Sequence, residues 1–265
     1  MVNSERPSHQ QIISLSELYQ SGRLDDAEQL AVSLTQEYHQ HPFGWKALGA
    51  IFKAKGRRSE AVDANQTAIA LAPQDFEAHY NLGNIHKELG KLDEAEVSYN
   101  QAITLKPDFA EANYNLGNML QELGRIDEAE LSYNRAIELK PDYAEAHSNL
   151  GATLKELRRF DEAEVSCNIA IDLKPEFIEA HSNLGATLRR LGRLDEAEVS
   201  YNRAIELKPD YTEAHYNLGV TLQELGRLNE AEANFTKVIA LKPDYAEAYS
   251  KLASEKDLMH KMNII

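Results

Sequence analysis

The sequence has little cysteine, no excess of positive charge and no long apolar run, and each shortage excludes a class of protein. The single cysteine, Cys167, excludes internal disulfide bonds and metal sites built from several thiolates. The chain has 28 Lys and Arg and 43 Asp and Glu, so its net charge is −15. This charge argues against nucleic-acid binding, because binding phosphates requires a concentrated basic face. The apolar runs are far shorter than the roughly 20 residues that span a bilayer. Because residues 1–11 also lack the layout of a secretory signal, we expect a soluble cytoplasmic protein without membrane insertion.

Glycine and proline are scarce, but they recur with a period of 34 residues. Within a 34-residue module, six of the 13 glycines fall at position 8, six more at position 15, and six of the 8 prolines at position 32. Because glycine and proline interrupt helices, this regular spacing indicates one supersecondary unit that is repeated in tandem. The predicted organisation is an N-terminal tail (1–7), a degenerate first module (8–41), six modules within 42–245 (42–75, 76–109, 110–143, 144–177, 178–211, 212–245) and a capping helix or truncated eighth module (246–265).

Each module predicts two antiparallel helices, A and B. Apolar residues recur at helical spacing on both sides of a glycine such as Gly90, which ends helix A in a left-handed conformation. An acidic capping box is expected at the start of helix B (Asp93 with Glu96) and of the next helix A (Asp108 with Glu111). One module exposes too much apolar surface to be stable alone, so neighbouring modules are expected to stack.

The residues at these positions resemble the tetratricopeptide repeat (TPR). The second module matches the pattern well, at Trp45, Leu48, Gly49, Phe52, Gly56, Ala61, Ala68 and Pro73. The resemblance extends over residues 8–245 and implies an all-α, right-handed superhelical solenoid of helix-turn-helix repeats with a concave groove lined by the A helices. It also implies a non-catalytic protein–protein interaction scaffold that binds an extended polypeptide, without naming a partner.

Two departures from the pattern fall in the module that begins at Ala144. Arg158 replaces the position-15 glycine, at a cost of about 1 kcal/mol if it adopts the left-handed conformation. Cys167 replaces the position-24 aromatic residue, which should thin the core there. We expect this module to be the least stable part of the array.

No pattern indicates catalysis, a metal or a cofactor. About half of the acidic residues occupy the expected capping positions, so an acid–base couple is not required to explain them. Histidines recur at position 4, one per module, which is too far apart for shared zinc ligation and favours a packing role; these are His79, His147, His181 and His215. Cys167 has no basic neighbour in sequence, so inert burial is expected.

Asparagines at position 6 of helix A are the strongest functional signal. They are Asn81, Asn115, Asn149, Asn183 and Asn217, and Asn84 and Asn118 at position 9 extend the polar strip. An asparagine amide can bind the C=O and N–H of any peptide unit. With modules roughly 10 Å apart, five asparagines would span about 12 residues of extended ligand. The row resembles the asparagine ladder in the repeat arm of O-linked N-acetylglucosamine transferases. The alternative is that asparagine is merely the common family residue at this site.

Position 2 predicts the charge of the ligand. TPR proteins that clamp the C-terminal carboxylate of chaperones carry lysine there, whereas this chain has glutamate in six modules: Glu77, Glu111, Glu145, Glu179, Glu213 and Glu247. A neutral or basic extended segment is therefore expected, with Arg189 and Arg190 as a local exception.

Two other functions stay open from sequence alone. The segment from His41 to Gly49 resembles bacterial proteins in which such an array precedes a glycosyl- or sulfotransferase domain, so the chain could be the substrate-recognition arm of an enzyme. The apolar residues near the end, including Met262 and Ile265, would suit a partner or a second copy of the chain, and a homo-oligomer could also form by end-to-end stacking of the repeats.

Overall fold

The computed structural model describes residues 6–253, and within them the chain forms fourteen complete helices and no strand. The helices are α1 (His9–Gln20), α2 (Leu24–Glu37), α3 (Pro42–Ala54), α4 (Arg58–Leu71), α5 (Phe76–Glu88), α6 (Leu92–Leu105), α7 (Ala110–Glu122), α8 (Ile126–Leu139), α9 (Ala144–Glu156), α10 (Phe160–Leu173), α11 (Ile178–Arg190), α12 (Leu194–Leu207), α13 (Thr212–Glu224) and α14 (Leu228–Leu241). Residues 246–253 are also helical. The predicted all-α fold of tandem helical pairs is confirmed. The apolar residues from Leu258 to Ile265 lie outside the described residues.

The chain divides into two compact units, residues 1–123 and 124–265. In the first unit, which holds α1 to α7, each helix packs on the next, and α5 also contacts both α3 and α7. The second unit, from α8 onward, repeats this arrangement, with α11 contacting both α9 and α13. Odd-numbered helices are the predicted A helices, so α3, α5 and α7 lie side by side in the first unit, and α9, α11 and α13 do so in the second.

Glycine at position 8 allows the two helices of a repeat to approach closely. A Cβ atom added at Gly83 would lie 2.8 Å from the ring of Tyr99, and one added at Gly185 would lie 2.8 Å from the ring of Tyr201. Both tyrosines are fully buried. The aromatic residue of helix B therefore fills the space that a side chain on helix A would need.

The turn between helices A and B requires a left-handed residue. The six position-15 glycines have φ between 71° and 77°, and Arg158 has φ 63° in the same place. Arg158 thus adopts the left-handed conformation for which a cost of about 1 kcal/mol is expected, and the turn geometry of the repeat is kept although glycine is absent.

The predicted capping boxes are wrong. Helix α6 begins at Leu92 with Lys91 as its N-cap, so Asp93 lies inside the first turn and makes no cap hydrogen bond. Helix α7 has Phe109 as its N-cap, which leaves Asp108 one residue too early. Of the fourteen helices from α1 to α14, only α5 has an aspartate at the cap itself, where Asp75 Oδ1 accepts hydrogen bonds from the backbone N–H groups of Glu77 and Ala78. Elsewhere the acids of the first turn complement the positive end of the helix dipole.

Many of the acidic residues pair with arginine instead. In the second unit, the Arg193 guanidinium lies 2.6 Å from Glu196 in its own repeat and 2.6 Å from Glu164 in the preceding one. Arg159 bridges Glu162 and Glu130 in the same way. Because each arginine joins two B helices, these carboxylates are explained by repeat stacking rather than by chemistry. Their hydrogen bonds to arginine lower the pKa values of Glu162 and Glu196.

The position-4 histidines have a local role that spacing did not predict. In each, Nε2 lies 2.9 to 3.1 Å from the carbonyl oxygen of the proline six residues earlier. The pairs are His79–Pro73, His147–Pro141, His181–Pro175 and His215–Pro209. Each bond ties the first turn of helix A to the end of the preceding repeat.

Candidate functional site

The position-6 asparagines lie half-buried on the A helices, two in the first unit and three in the second. Their placement on helices that contact one another within each unit is what a peptide-binding row requires. Whether they bind a ligand stays a prediction, and the surroundings of the asparagines differ between the two units.

In the first unit, Asn115 belongs to a hydrogen-bonded polar cluster. Its Nδ2 donates to Tyr80 Oη and to Asn84 Oδ1, both at 2.9 Å. Asn84 Oδ1 also accepts from Tyr99 Oη at 2.8 Å. Burial raises the pKa of Tyr80, so this phenol is neutral over the physiological range. Both amide hydrogens of Asn115 are used within the protein, which leaves its Oδ1 as the group that could accept from a ligand N–H.

In the second unit, Asn183 takes part in a simpler contact. Its Nδ2 lies 3.2 Å from Ser148 Oγ and 3.4 Å from Ser148 O on the preceding A helix. Serine replaces the position-5 tyrosine here, so the second unit presents a smaller side chain beside the asparagine. Asn217 lines a polar groove of about 610 Å³ together with residues of α9 and α11.

Cations outnumber carboxylates among the residues that line that groove. Lys155, Arg158, Arg189 and Arg190 line it, together with two carboxylates, those of Glu156 and Glu213. Arg189 is paired, because its guanidinium lies 2.7 Å from Glu224. Sequence analysis singled out Arg189 and Arg190 but did not place Lys155 and Arg158 beside them, because the four residues come from two modules.

An apolar cavity of about 580 Å³ opens in the first unit over α5, between α4 and α6. Ile69, Leu82 and Val97 line it, and Val97 keeps 70% of its surface exposed. Sequence reasoning missed this cavity. The one feature of the sequence that points to this cavity is an aliphatic residue that recurs at position 22, on the outer face of helix B.

The cysteine and the potential metal ligands lie in surroundings that explain them by packing. Cys167 is fully buried, and its burial raises the pKa of the thiol to about 12. Over residues 6–253 no three His, Cys, Asp or Glu side chains lie together as metal ligands would. No helix in that range has the length and apolarity needed to cross a bilayer.

Comparison with protein families identifies the repeats. The model of the Cilia and flagella-associated protein 70 C-terminal domain, a TPR domain, matches residues 23–262. The chain belongs to this TPR family.

Solved structures of other TPR proteins share the fold. A chain of the crystal structure of the APC/C hetero-tetramer Cut9-Hcn1 is 19% identical with a TM-score of 0.75, covering 91% of this chain and 48% of that one. The present chain thus spans about half of the length of that relative. YrrB, described as a TPR protein with an unusual peptide-binding site, is 26% identical with a TM-score of 0.59 over 71% of this chain and 97% of its own. MamA is 27% identical with a TM-score of 0.58 over 61% and 95%.

No curated protein sequence matches the chain. The TPR fold is that of a protein-interaction scaffold, and the identity of the ligand has to be argued from the A-helix surfaces themselves.

Proposed function

We propose that this TPR protein is a non-catalytic scaffold that holds an extended polypeptide on its A helices, with the position-6 asparagines contacting the ligand backbone. The observation that carries the proposal is the same asparagine on successive A helices that contact one another within each unit. An amide at this spacing binds peptide units whatever their side chains, so it favours an extended chain over a folded surface.

The hydrogen bonds within the protein refine how each asparagine acts. Asn115 offers its carbonyl oxygen, since Tyr80 and Asn84 occupy its N–H groups. Asn217 faces the groove of the second unit, where it lies among charged side chains. An asparagine side chain that is already hydrogen-bonded within the protein loses less conformational entropy on binding a ligand than a free one, because its rotamer is fixed beforehand.

The charge of the A-helix surface favours a neutral or basic polypeptide over most of its length. Glutamate recurs at position 2, and Glu111 and Glu145 are half-buried at the starts of α7 and α9. A ligand lysine or arginine would lower the repulsion among these carboxylates. The likeness to YrrB, whose description includes a peptide-binding site, supports peptide binding by a TPR protein of this type.

The test is alanine substitution of the five position-6 asparagines, measured against an array of 12-residue peptides. Loss of several backbone hydrogen bonds should weaken binding at least about tenfold while the helical circular dichroism is kept. The matched control replaces asparagines that recur at position 25 of helix B with the same spacing: Asn100, Asn134, Asn168 and Asn202. These lie on the outer helices and should be neutral. Unchanged binding in the position-6 variant, or equal loss in both, would contradict the proposal.

A further inference from the structure

A charge reversal in the second unit interrupts a repeating set of ion pairs between A helices. Position 12 of one repeat normally faces position 13 of the next, 35 residues later. Three such pairs are observed: Lys53–Glu88 at 3.1 Å, Lys87–Glu122 at 2.8 Å and Arg189–Glu224 at 2.7 Å. Lys155 and Arg190 are also 35 residues apart, so the same geometry brings two cations together.

Position 13 is glutamate in four repeats and arginine only at Arg190. Among residues 6–253, the structure gives no ion pair to Lys155, Arg158 or Arg190. Arg190 lies over the ring of Phe160, with 5.5 Å between its guanidinium carbon and the ring centroid. This contact orients the guanidinium without neutralising it.

Arg158 adds a third cation to the same groove. It stands where six other repeats have glycine, and it keeps the left-handed conformation at φ 63°. The side chain is exposed and lines the groove with Lys155 and Arg190. Arg158 at position 15 and Arg190 at position 13 both depart from the repeat pattern. Both place positive charge in the same groove, in a chain whose net charge is −15.

We propose that this groove binds an acidic group of the bound polypeptide, a side-chain carboxylate or a phosphoryl group, which takes the place of the missing position-13 glutamate between Lys155 and Arg190. The inference rests on the proposed function, because it names one feature of the same ligand. The groove is lined by four cations and two carboxylates, and the Glu224 that pairs with Arg189 brings the balance to four against three, so the field favours an anion. Guanidinium groups suit both carboxylate and phosphoryl oxygens, which can accept two parallel hydrogen bonds.

Asn217 lines the same groove and links the anion to the ligand backbone. A peptide that contacts Asn217 through its main chain would present one side chain to the cations. The acidic residue would then fix the register of an otherwise sequence-independent ligand. The surrounding position-2 glutamates, such as Glu213, would still disfavour further acidic residues on either side.

The first arm of the test screens 12-residue peptides in which one position at a time carries Glu, phosphoserine, Lys or Ala. The wild-type chain should prefer Glu or phosphoserine over Ala about tenfold at one position, the size expected of a charge-assisted hydrogen bond. Comparing Glu with phosphoserine identifies the source of the anion. Arg190→Glu should abolish the preference but keep binding, whereas Arg203→Glu, an equal charge change on the outer helix α12, should preserve it. Arg190→Glu restores the glutamate of four other repeats, so it should fold.

The second arm needs no peptide. Replacing chloride by phosphate at constant ionic strength should raise the unfolding midpoint of the wild type more than that of Arg190→Glu. If no peptide binds but phosphate acts in this way, the anion site stands and the proposed function fails. If peptides bind through the asparagines without an acidic preference, the proposed function stands and this inference is overturned. Identical responses of both proteins to phosphate, with no acidic preference, would also overturn it.

Discussion

The two units are built from the same repeat, yet they differ at the A-helix surface. In the first unit, Tyr80, Asn84 and Asn115 form a neutral hydrogen-bonded cluster. In the second, a smaller residue, Ser148, takes the tyrosine position, and a groove with four cations lies beside Asn217. The repeat fixes where side chains stand, while departures from the repeat decide what the surface can bind.

The largest expected effect concerns one core position, compared between a repeat of the first unit and a repeat of the second. Tyr99 in the first unit and Cys167 in the second occupy the same position and are both fully buried. Tyr99→Ala should cost about 3 to 5 kcal/mol of unfolding free energy, because it leaves a large cavity and removes the hydroxyl that donates to Asn84. Cys167→Ala removes a single sulfur atom and should cost about 1 kcal/mol.

Urea denaturation followed by circular dichroism measures both variants. A second transition in the Tyr99→Ala protein would show that the first unit unfolds separately, which is itself informative about the array. Equal losses of free energy in the two variants would contradict the claim that the repeat of Cys167 has a thinner core at this position than the repeat of Tyr99.

A smaller effect is expected where the turn of the second unit departs from that of the first. Arg158→Gly should stabilise the chain by about 1 kcal/mol, because glycine adopts the left-handed conformation without the strain that an L side chain carries. The reverse change in the first unit, Gly90→Arg, should destabilise by a similar amount. Urea denaturation measures both changes, as shifts of the unfolding midpoint without a change in the denaturant dependence of the unfolding free energy. A loss of stability in Arg158→Gly would mean that the arginine side chain contributes more than its backbone costs.

The sequence alone predicted the all-α repeat fold, because the glycines and prolines recur every 34 residues and only a repeated helical pair explains them. It also located the turn position at which Arg158 replaces glycine, but only the structure shows that the left-handed conformation is kept there. The capping boxes were wrong because a shift of one residue, as between Asp75 and Asp108, moves a carboxylate out of the cap. Local patterns do not determine helix starts to that precision.

The cationic groove could be predicted only in part. Arg190 stands out in the sequence, but Lys155 and Arg158 belong to another repeat, and their proximity depends on how α9 and α11 pack. Likewise, the row of asparagines was visible from spacing, whereas the hydrogen bonds that occupy Asn115 depend on Tyr80 and Asn84, which lie on the neighbouring helix. Contacts between repeats depend on tertiary packing, which the 34-residue period of the sequence does not determine.

Spin labelling would test the central claim, that the A-helix surface holds the ligand, most directly. Since Cys167 is buried and its thiol stays protonated, a label will attach selectively to a cysteine introduced at Asn217 on α13 or at Val199 on the outer face of α12. The tightest-binding array peptide, isotope-labelled, would report proximity through paramagnetic broadening of its resonances. The account predicts strong broadening from position 217 and none from position 199. Broadening from 199 alone, or from neither, would contradict it.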